Sequence, residues 1–171
     1  MQTEPVQHII LPSPFSGFFI EVIFTDQAVL EIKWHKRDNL TEEPGGRKSA
    51  KIVDQIIHEF SEYWDGRRKV FTIPYRFNKG THFQHNVWRQ IASIPYGSTI
   101  SYGKLSLMVK GTTSAARAVG QACARNPLPI LIPCHRVVKS DGTPGYYSAP
   151  DGAYLKTKLI EFERKNKVAF L

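Results

Sequence analysis

The sequence predicts an α+β fold from three observations: a period-two alternation of apolar residues near the N-terminus, one amphipathic helical stretch behind it, and a C-terminal half made largely of helical segments. With 42% apolar residues in 171, there is material for one ordinary domain or for two small lobes sharing an interface.

Within residues 8–35, Phe18, Ile20, Val22 and Phe24 fall on one face. After the Thr25-Asp26-Gln27 turn, Val29-Leu30-Glu31-Ile32 resumes the extended pattern, so the stretch reads as a β-hairpin. Residues 36–48 carry charges and the breakers Pro44-Gly45-Gly46 without periodicity and read as a loop. Val53, Ile56, Ile57, Phe60 and Trp64 then recur at helical spacing, giving a helix that ends near Asp65-Gly66. Strand, strand and helix make a small N-terminal lobe. The basic stretch 67–80 reads as its connection to the rest, which places the lobes at 1–80 and 81–171.

Thr81-His82-Phe83-Gln84 has the form of a capping box. The helix it starts puts Phe83, Val87, Trp88, Ile91 and Ile94 on one face and stops at Pro95-Tyr96-Gly97. A helix over 102–109, a glycine-containing turn at 110–113 and a helix over 114–125 form a helix-turn-helix pattern. The second of these helices is nearly bare, with Ala115, Ala116, Ala118, Gly120, Ala122 and Ala124 around the long cation Arg117. Small side chains allow close approach, either to a neighbouring helix or to an external surface. Ile130-Leu131-Ile132 reads as a short buried strand closed by Pro133, with Cys134 at its end facing a cleft. The last helix, over 151–165, has Leu155, Leu159 and Phe162 on its apolar face. Glu163 shares that face, and a carboxylate there must be paired or hydrogen-bonded.

The net charge of +8 and a pI near 9.6 favour a polyanionic partner such as nucleic acid, a reading that gains weight beside a docking element. No apolar run reaches the roughly 18 residues of a spanning helix, and Met1-Gln2-Thr3-Glu4-Pro5 has no leader character, so a soluble intracellular protein is expected. Cys123 and Cys134 do not make a disulfide framework and fit a reducing compartment. Among the histidines only His82 and His85 are close in sequence, and they read as solvated helix residues; neither metal nor cofactor is expected.

Pro133-Cys134-His135-Arg136-Val137-Val138 carries the chemistry. A thiol becomes a strong nucleophile where a neighbouring base or positive charge favours thiolate, and His135 and Arg136 adjoin Cys134. The plainer alternative makes Cys134 a small buried hydrophobe and Arg136 a solvated charge. The run has company: Thr81-His82-Phe83-Gln84, Ile94-Pro95-Tyr96-Gly97, Ser101-Tyr102, Arg117-Ala118-Val119-Gly120, Asn126-Pro127 and Gly145-Tyr146-Tyr147-Ser148 occur in order around it. Together these motifs, covering the C-terminal half, resemble the O6-alkylguanine-DNA alkyltransferase family of DNA-repair methyltransferases.

The resemblance implies a ribonuclease H-like N-terminal lobe and a single-use reaction in which the alkyl group of O6-alkylguanine, or of O4-alkylthymine, moves irreversibly to Cys134. It implies His135 as a base acting through water, Glu163 orienting it, Asn126 supporting the active-site turn, and Tyr102 donating to the leaving base. It also implies a bare helix in the minor groove with Arg117 inserted into the base stack, Tyr102, Gly103 and Ser140 on the DNA-facing side, and a flipped base held by Cys123, Val137, Tyr147 and Ser148. One departure stands out: Ser148-Ala149-Pro150-Asp151-Gly152 replaces the family's two glycines with about two extra residues, so the pocket lip is expected to differ in shape or stiffness. A monomer acting on double-stranded DNA, cytoplasmic in a prokaryote and nuclear in a eukaryote, completes the expectation. The rival readings are a non-catalytic lesion-sensing or regulatory DNA-binding module, which Cys134 disfavours, and a cysteine hydrolase.

Overall fold

Three antiparallel strands, β1 (Gln7–Pro12), β2 (Phe18–Phe24) and β3 (Val29–Lys36), form a sheet in the order β1-β2-β3. The computed structural model describes residues 4–37 and 51–168. Along β2 every second residue is buried, and the register Ile20↔Trp34 and Val22↔Ile32 puts the alternate residues of β3 on the same face. Each large apolar side chain so buried stabilises the fold by about 1.5–3 kcal/mol. The expected hairpin is thus a three-stranded meander. Its extra strand is β1, whose Ile9 and Ile10 pair with Val22 and Glu21 once Ser13 Oγ turns the chain by donating to the Phe18 carbonyl at 2.8 Å. Period two between residues 18 and 32 revealed two strands, whereas β1 alternates too little to show.

Helix α1 (Lys51–Trp64) buries Ile52, Val53, Ile56, Phe60 and Tyr63. Trp64 reaches Trp34 of the sheet and Phe15, with ring centroids 6.3 and 5.9 Å apart. Beyond the helix, Val29 N donates to the Pro74 carbonyl and Arg76 N to the Val29 carbonyl, so residues 74–76 run beside β3. Of the loop expected over 36–48, Lys36 ends β3 and Arg37 follows it, while residues 38–48 lie outside the described residues. The chain divides into two compact units, 1–78 and 79–171.

In the second unit, helix α2 (His82–Ala92) starts with the capping box read from the sequence: Thr81 Oγ1 accepts from Gln84 N and Gln84 Oε1 accepts from Thr81 N. Gly80, at φ +107°, lies under Trp88, and a Cβ there would stand 2.6 Å from the indole. Trp88 Nε1 donates to the Ala122 carbonyl at 2.8 Å, which anchors α2 to helix α4 (Ala116–Ala124). Helix α3 (Tyr102–Lys110) is capped by Ser101 and ends at left-handed Gly111, so α3, the turn and α4 form the expected helix-turn-helix. Strand β4 (Ile100–Ser101) pairs in parallel with β5 (Val137–Val138), tying the start of α3 to the segment after Cys134. Helix α5 (Gly152–Val168) closes the unit and runs a few residues past its expected end. Among the described residues no helix is long and apolar enough to cross a membrane.

Residues 130–132 correct the sequence reading: they form a turn, not a strand. Prolines at 127, 129 and 133 remove backbone donors, Ile132 N returns to the Leu128 carbonyl at 2.8 Å, and Ile130 takes φ +77°. Leu128, Ile130 and Ile132 are buried all the same, and burial without periodicity is what made them look like a strand.

Candidate active site

Cys134 opens a single 3-10 turn, Cys134–Arg136, and so does not stand at a strand end. The turn is fixed by backbone bonds from Cys134 N to the Ile132 carbonyl and from Arg136 N to the Pro133 carbonyl, at 2.8 and 2.9 Å. Its three side chains are all buried, and an invariant rotation of about 120° per residue aims them differently: one toward the bend after α4, two toward α5.

The thiol lies under Asn126. Asn126 Nδ2 donates to Cys134 Sγ at 3.2 Å and to the Ile132 carbonyl at 2.7 Å, and its Oδ1 accepts from Leu128 N. One amide side chain therefore holds the bend and offers a donor to sulfur. Burial pushes the Cys134 thiol up, and the Asn126 hydrogen bond and the Lys156 charge work against that push.

His135 is completely buried. Its Nε2 lies 2.9 Å from Glu163 Oε1, and its Nδ1 has no hydrogen-bond partner among the described residues. Burial would raise the Glu163 carboxyl, but His135 and Arg136 overturn this and hold it well below the usual carboxylate range. An ionised carboxylate can only accept, so His135 Nε2 carries the hydrogen and Nδ1 the lone pair. Burial lowers the His135 pKa further than Glu163 raises it, which keeps that lone pair unprotonated. The geometry makes His135 a neutral base with its tautomer fixed.

Arg136 is where the sequence reading was too simple. It is neither a solvated charge nor a spare cation for the thiol: Nε and Nη2 both donate to Glu163 at 2.8 Å and Nη1 donates to the Ile94 carbonyl. Gly97 N donates to Glu163 as well, at 2.9 Å, and the Arg136 guanidinium lies 5.6 Å from the Tyr96 ring centroid. The Ile94–Gly97 turn therefore serves the Arg136–Glu163 pair. Gly97 has φ +67°, and a Cβ there would meet the α5 backbone at 3.0 Å.

Tyr102, the first residue of α3, packs against Gly120 of α4 and Gly145, whose added Cβ atoms would lie 3.8 and 3.1 Å from it. Lys156, unremarked in the sequence, is 1% exposed and donates to Tyr102 Oη at 3.1 Å and to the Tyr146 carbonyl at 3.2 Å. It follows Leu155 and precedes Ile160 by four residues, a place inside the apolar stripe of α5 that could have signalled burial. Cys123, Val137 and Tyr147 are buried, whereas Ser148 is exposed. In the segment that follows, Asp151 has φ +49°, and a Cβ on Gly152 would overlap the Tyr147 carbonyl at 2.1 Å, so residue 152 must be glycine.

The outer surface of the helix-turn-helix is small and basic. Arg117, Ala118 and Gln121 of α4, Arg125 at its C-cap, and Lys104 and Lys110 of α3 are exposed, as is Ser140, while Gly103 is half-buried. Between Gly66 and Ser140 the sequence holds no Asp or Glu against twelve Lys and Arg residues, a charge asymmetry that the overall value of +8 conceals. Asn126 is thus bonded to Cys134 and Glu163 to His135, the two pairs meeting where Cys134 and His135 adjoin in the chain, while Tyr102 is bonded to Lys156 and Arg117 stands outside these bonds on the exposed face.

Residues 82–165 match the model of the 6-O-methylguanine DNA methyltransferase DNA-binding domain. The constitutive methylated-DNA–protein-cysteine methyltransferase of Bacillus subtilis is 44% identical over 118 residues, spanning 68% of this chain and 69% of that one. The methyltransferase of Mycobacterium bovis is 35% identical over 150 residues, or 87% and 85% of the two chains. The crystal structure of Mycobacterium tuberculosis O6-methylguanine methyltransferase superposes with a TM-score of 0.77 at 27% identity, over 95% of this chain and 94% of that one. Mycobacterium tuberculosis OGT in complex with DNA gives 0.76 at 28% identity, over 93% of each.

Proposed function

The chain belongs to the methylated-DNA–protein-cysteine methyltransferase family, and from that premise we propose that it repairs O6-alkylguanine in duplex DNA by moving the alkyl group onto Cys134. DNA is its partner and alkyl transfer its reaction. The observation that carries the assignment of residues is the buried Cys134 under Asn126, beside a histidine whose tautomer Glu163 fixes.

The chemistry runs as one displacement. His135 Nδ1 takes the proton of Cys134 through a bridging water, and the thiolate attacks the saturated carbon on guanine O6. A carbon–sulfur bond forms as the carbon–oxygen bond breaks, and the electron pair leaves with the base. Tyr102 donates a proton to that base and regains one as the His135 imidazolium gives up its own through solvent, so the net change moves one proton from thiol to guanine. Glu163 holds His135 and balances the imidazolium while it lasts, the orienting role of a carboxylate in a thiol–imidazole–acid relay. The product thioether is a poor leaving group, and each chain acts once.

The target base must leave the helix to reach a buried sulfur. Arg117 on α4 suits the space it vacates, with Ala118 and Gly120 letting the helix sit close to DNA. Tyr102, Gly103 and Ser140 lie toward the backbone, and Cys123, Val137, Tyr147 and Ser148 line the base pocket. We assign this work to residues 81–171 and a supporting part to residues 1–80, in a chain that acts as a monomer in the compartment that holds DNA: the cytoplasm of a prokaryote, the nucleus of a eukaryote.

Incubation with a duplex carrying one O6-methylguanine, followed by peptide mass analysis, tests this directly. The Cys134 peptide should gain one methyl group and the DNA should lose it. Binding without any gain would support the lesion-sensing alternative, and a gain on Cys123 would move the nucleophile.

A further inference from the structure

Three tyrosines among the described residues are exposed, and two of them already use their rings. Tyr75 packs on Phe77 with centroids 5.7 Å apart, and the Lys158 ammonium lies 5.7 Å from the Tyr154 centroid. Tyr146 is the most exposed of the three, at 71%, and its side chain makes no hydrogen bond, ion pair or ring contact among the described residues. A single apolar side chain on a surface is ordinary. Tyr146 differs in what lies beneath and beside it.

The backbone under the ring is fixed from several sides. Lys156 Nζ donates to the Tyr146 carbonyl at 3.2 Å, and the next residue, Tyr147, is buried. The residue before it, Gly145, has φ +69°, and a Cβ there would stand 3.1 Å from Tyr102 Oη and 3.6 Å from the Lys139 side chain. Lys139 N donates to the Thr143 carbonyl and Gly142 N to the Lys139 carbonyl, both at 2.9 Å, and this turn returns the chain to Gly145 beside Lys139. An exposed ring on an ordered backbone can meet a partner with little loss of backbone freedom.

The same contacts place the ring beside the helix-turn-helix. Tyr102 meets Gly145 along one edge of its ring and Gly120 of α4, at 3.8 Å from an added Cβ, along the other. One tyrosine ring therefore separates the chain at Gly145 from the bare helix, and the exposed Lys139 and Ser140 lie on the near side. This is the part of the chain where twelve cations stand without an acid. A neutral aromatic among cations suits a partner that offers both negative charge and flat faces, which is the chemistry of a nucleic-acid strand.

We infer that Tyr146 is a DNA-contact residue whose ring stacks on a nucleotide flanking the target. The inference rests on the alkyl-transfer reading, in which one base leaves the duplex and its neighbours lose a stacking partner, and it adds a platform for one of those neighbours. Every base has a π face, so the contact is tolerant of sequence.

The test uses the full chain and a duplex with one O6-methylguanine. Tyr146→Ala should weaken binding of this duplex by about fivefold or more, with transfer at low duplex concentration falling in proportion. Its rate at saturating duplex and its reaction with free O6-benzylguanine should stay within about twofold of wild type. Tyr146→Phe and Tyr146→Trp should bind like wild type. The slope of log affinity on log salt should be the same in wild type and Tyr146→Ala, because a neutral ring releases no counterion, whereas losing a phosphate contact lowers that slope by about one. In the Cys134→Ala chain, which leaves the lesion in place, irradiation of 5-iodouracil beside the O6-methylguanine should crosslink the Tyr146 peptide.

Unchanged binding by Tyr146→Ala, or a crosslink that falls on other residues only, overturns the inference. A loss in Tyr146→Phe as large as in Tyr146→Ala overturns stacking, since the hydroxyl would then be the contact. Equal losses on duplex and free O6-benzylguanine overturn it too, by making Tyr146 part of the base pocket. A wild-type chain that binds the duplex and accepts no methyl group refutes the alkyl-transfer reading instead, and the crosslink and the affinities of the Tyr146 variants then still decide the contact.

Discussion

Each unit of this protein buries one glutamate on a helix and surrounds it with donors, and the two carboxylates do different work. Glu59 of α1, 2% exposed, accepts from Gln55, from the backbone and hydroxyl of Thr72 and from Ile73 N, with Arg68 at 3.4 Å. Most of those donors are neutral, and their effect is to fasten the segment after α1 to the helix. Glu163 of α5, 1% exposed, accepts from both sides of Arg136, from Gly97 N and from His135. The difference lies in that last donor, whose other ring nitrogen has no partner among the described residues and whose neighbour in sequence is a thiol. A buried, satisfied carboxylate is structural by default; it becomes part of a reaction when one of its donors has a second, reactive end.

The sharpest break in the comparison is Cys134→Ala, which removes the reactive end and leaves the Glu163 clamp whole. Transfer should vanish altogether, while binding to duplex DNA stays within about threefold, since affinity comes from phosphate contacts. Transfer and gel-shift assays on one preparation check this, and Cys123→Ala in parallel should retain transfer.

Paired glutamine substitutions come next. Glu163→Gln leaves Arg136 buried without its counter-charge and frees the His135 tautomer, so stability should fall by about 3–5 kcal/mol and transfer by about a hundredfold or more. Glu59→Gln keeps one acceptor oxygen for part of its neutral donors and should cost about 1–3 kcal/mol with transfer per folded molecule unchanged. Thermal melts and single-turnover rates on both variants test the contrast, and equal losses of transfer would erase it.

A smaller contrast separates the exposed cations. Arg76 of the first unit donates to Glu4 at 2.8 Å, whereas Arg117 on α4 has no such partner among the described residues. Arg117→Ala should slow repair of duplex substrate by about tenfold or more, in line with the few kcal/mol needed to unstack a base, and should barely change reaction with free O6-benzylguanine. Arg76→Ala should change neither. Similar losses on duplex and free base would make Arg117 a structural residue.

The sequence revealed these sites unevenly, for physical reasons. Local rules carried the Thr81 capping box, the helix-turn-helix and the demand that Glu163 find a partner, because each depends on residues within a few positions or on the period of one helix. The adjacency of Cys134 and His135 marked the candidate nucleophile and its base, and the ordered motifs supplied the role of Asn126 through family resemblance. Arg136 and Lys156 escaped because long charged side chains read as solvated until a tertiary partner is known: Glu163 lies 27 residues from Arg136, and Tyr102 lies 54 from Lys156. The turn at 130–132 escaped because an apolar run looks the same whether the chain beneath it is extended or bent.

Acid should loosen the second unit first, the smallest of the expected effects and the one that tests the comparison without a substitution. Burial lowers the His135 pKa from its ordinary value of 6.5, so the unfolded chain binds a proton there that the folded chain does not, and stability falls as pH drops below about 6.5. Glu163 works in the same direction at lower pH: its folded pKa lies well below the ordinary 4.5, so its contribution is complete above that value and drains away as pH falls beneath it. Glu59 is also held below 4.5, but the first unit has no histidine buried like His135, so its carboxylate contributes only in the more acidic window. Between pH 7 and 5 the melting temperature should therefore decline, and hydrogen exchange should quicken in α5 and the Cys134 turn before it does in α1. His135→Gln should flatten that part of the slope while leaving the steeper loss below about pH 4.5. A decline of the same size in the glutamine variant, or earlier exchange in α1, would show that some other group sets the acid limit.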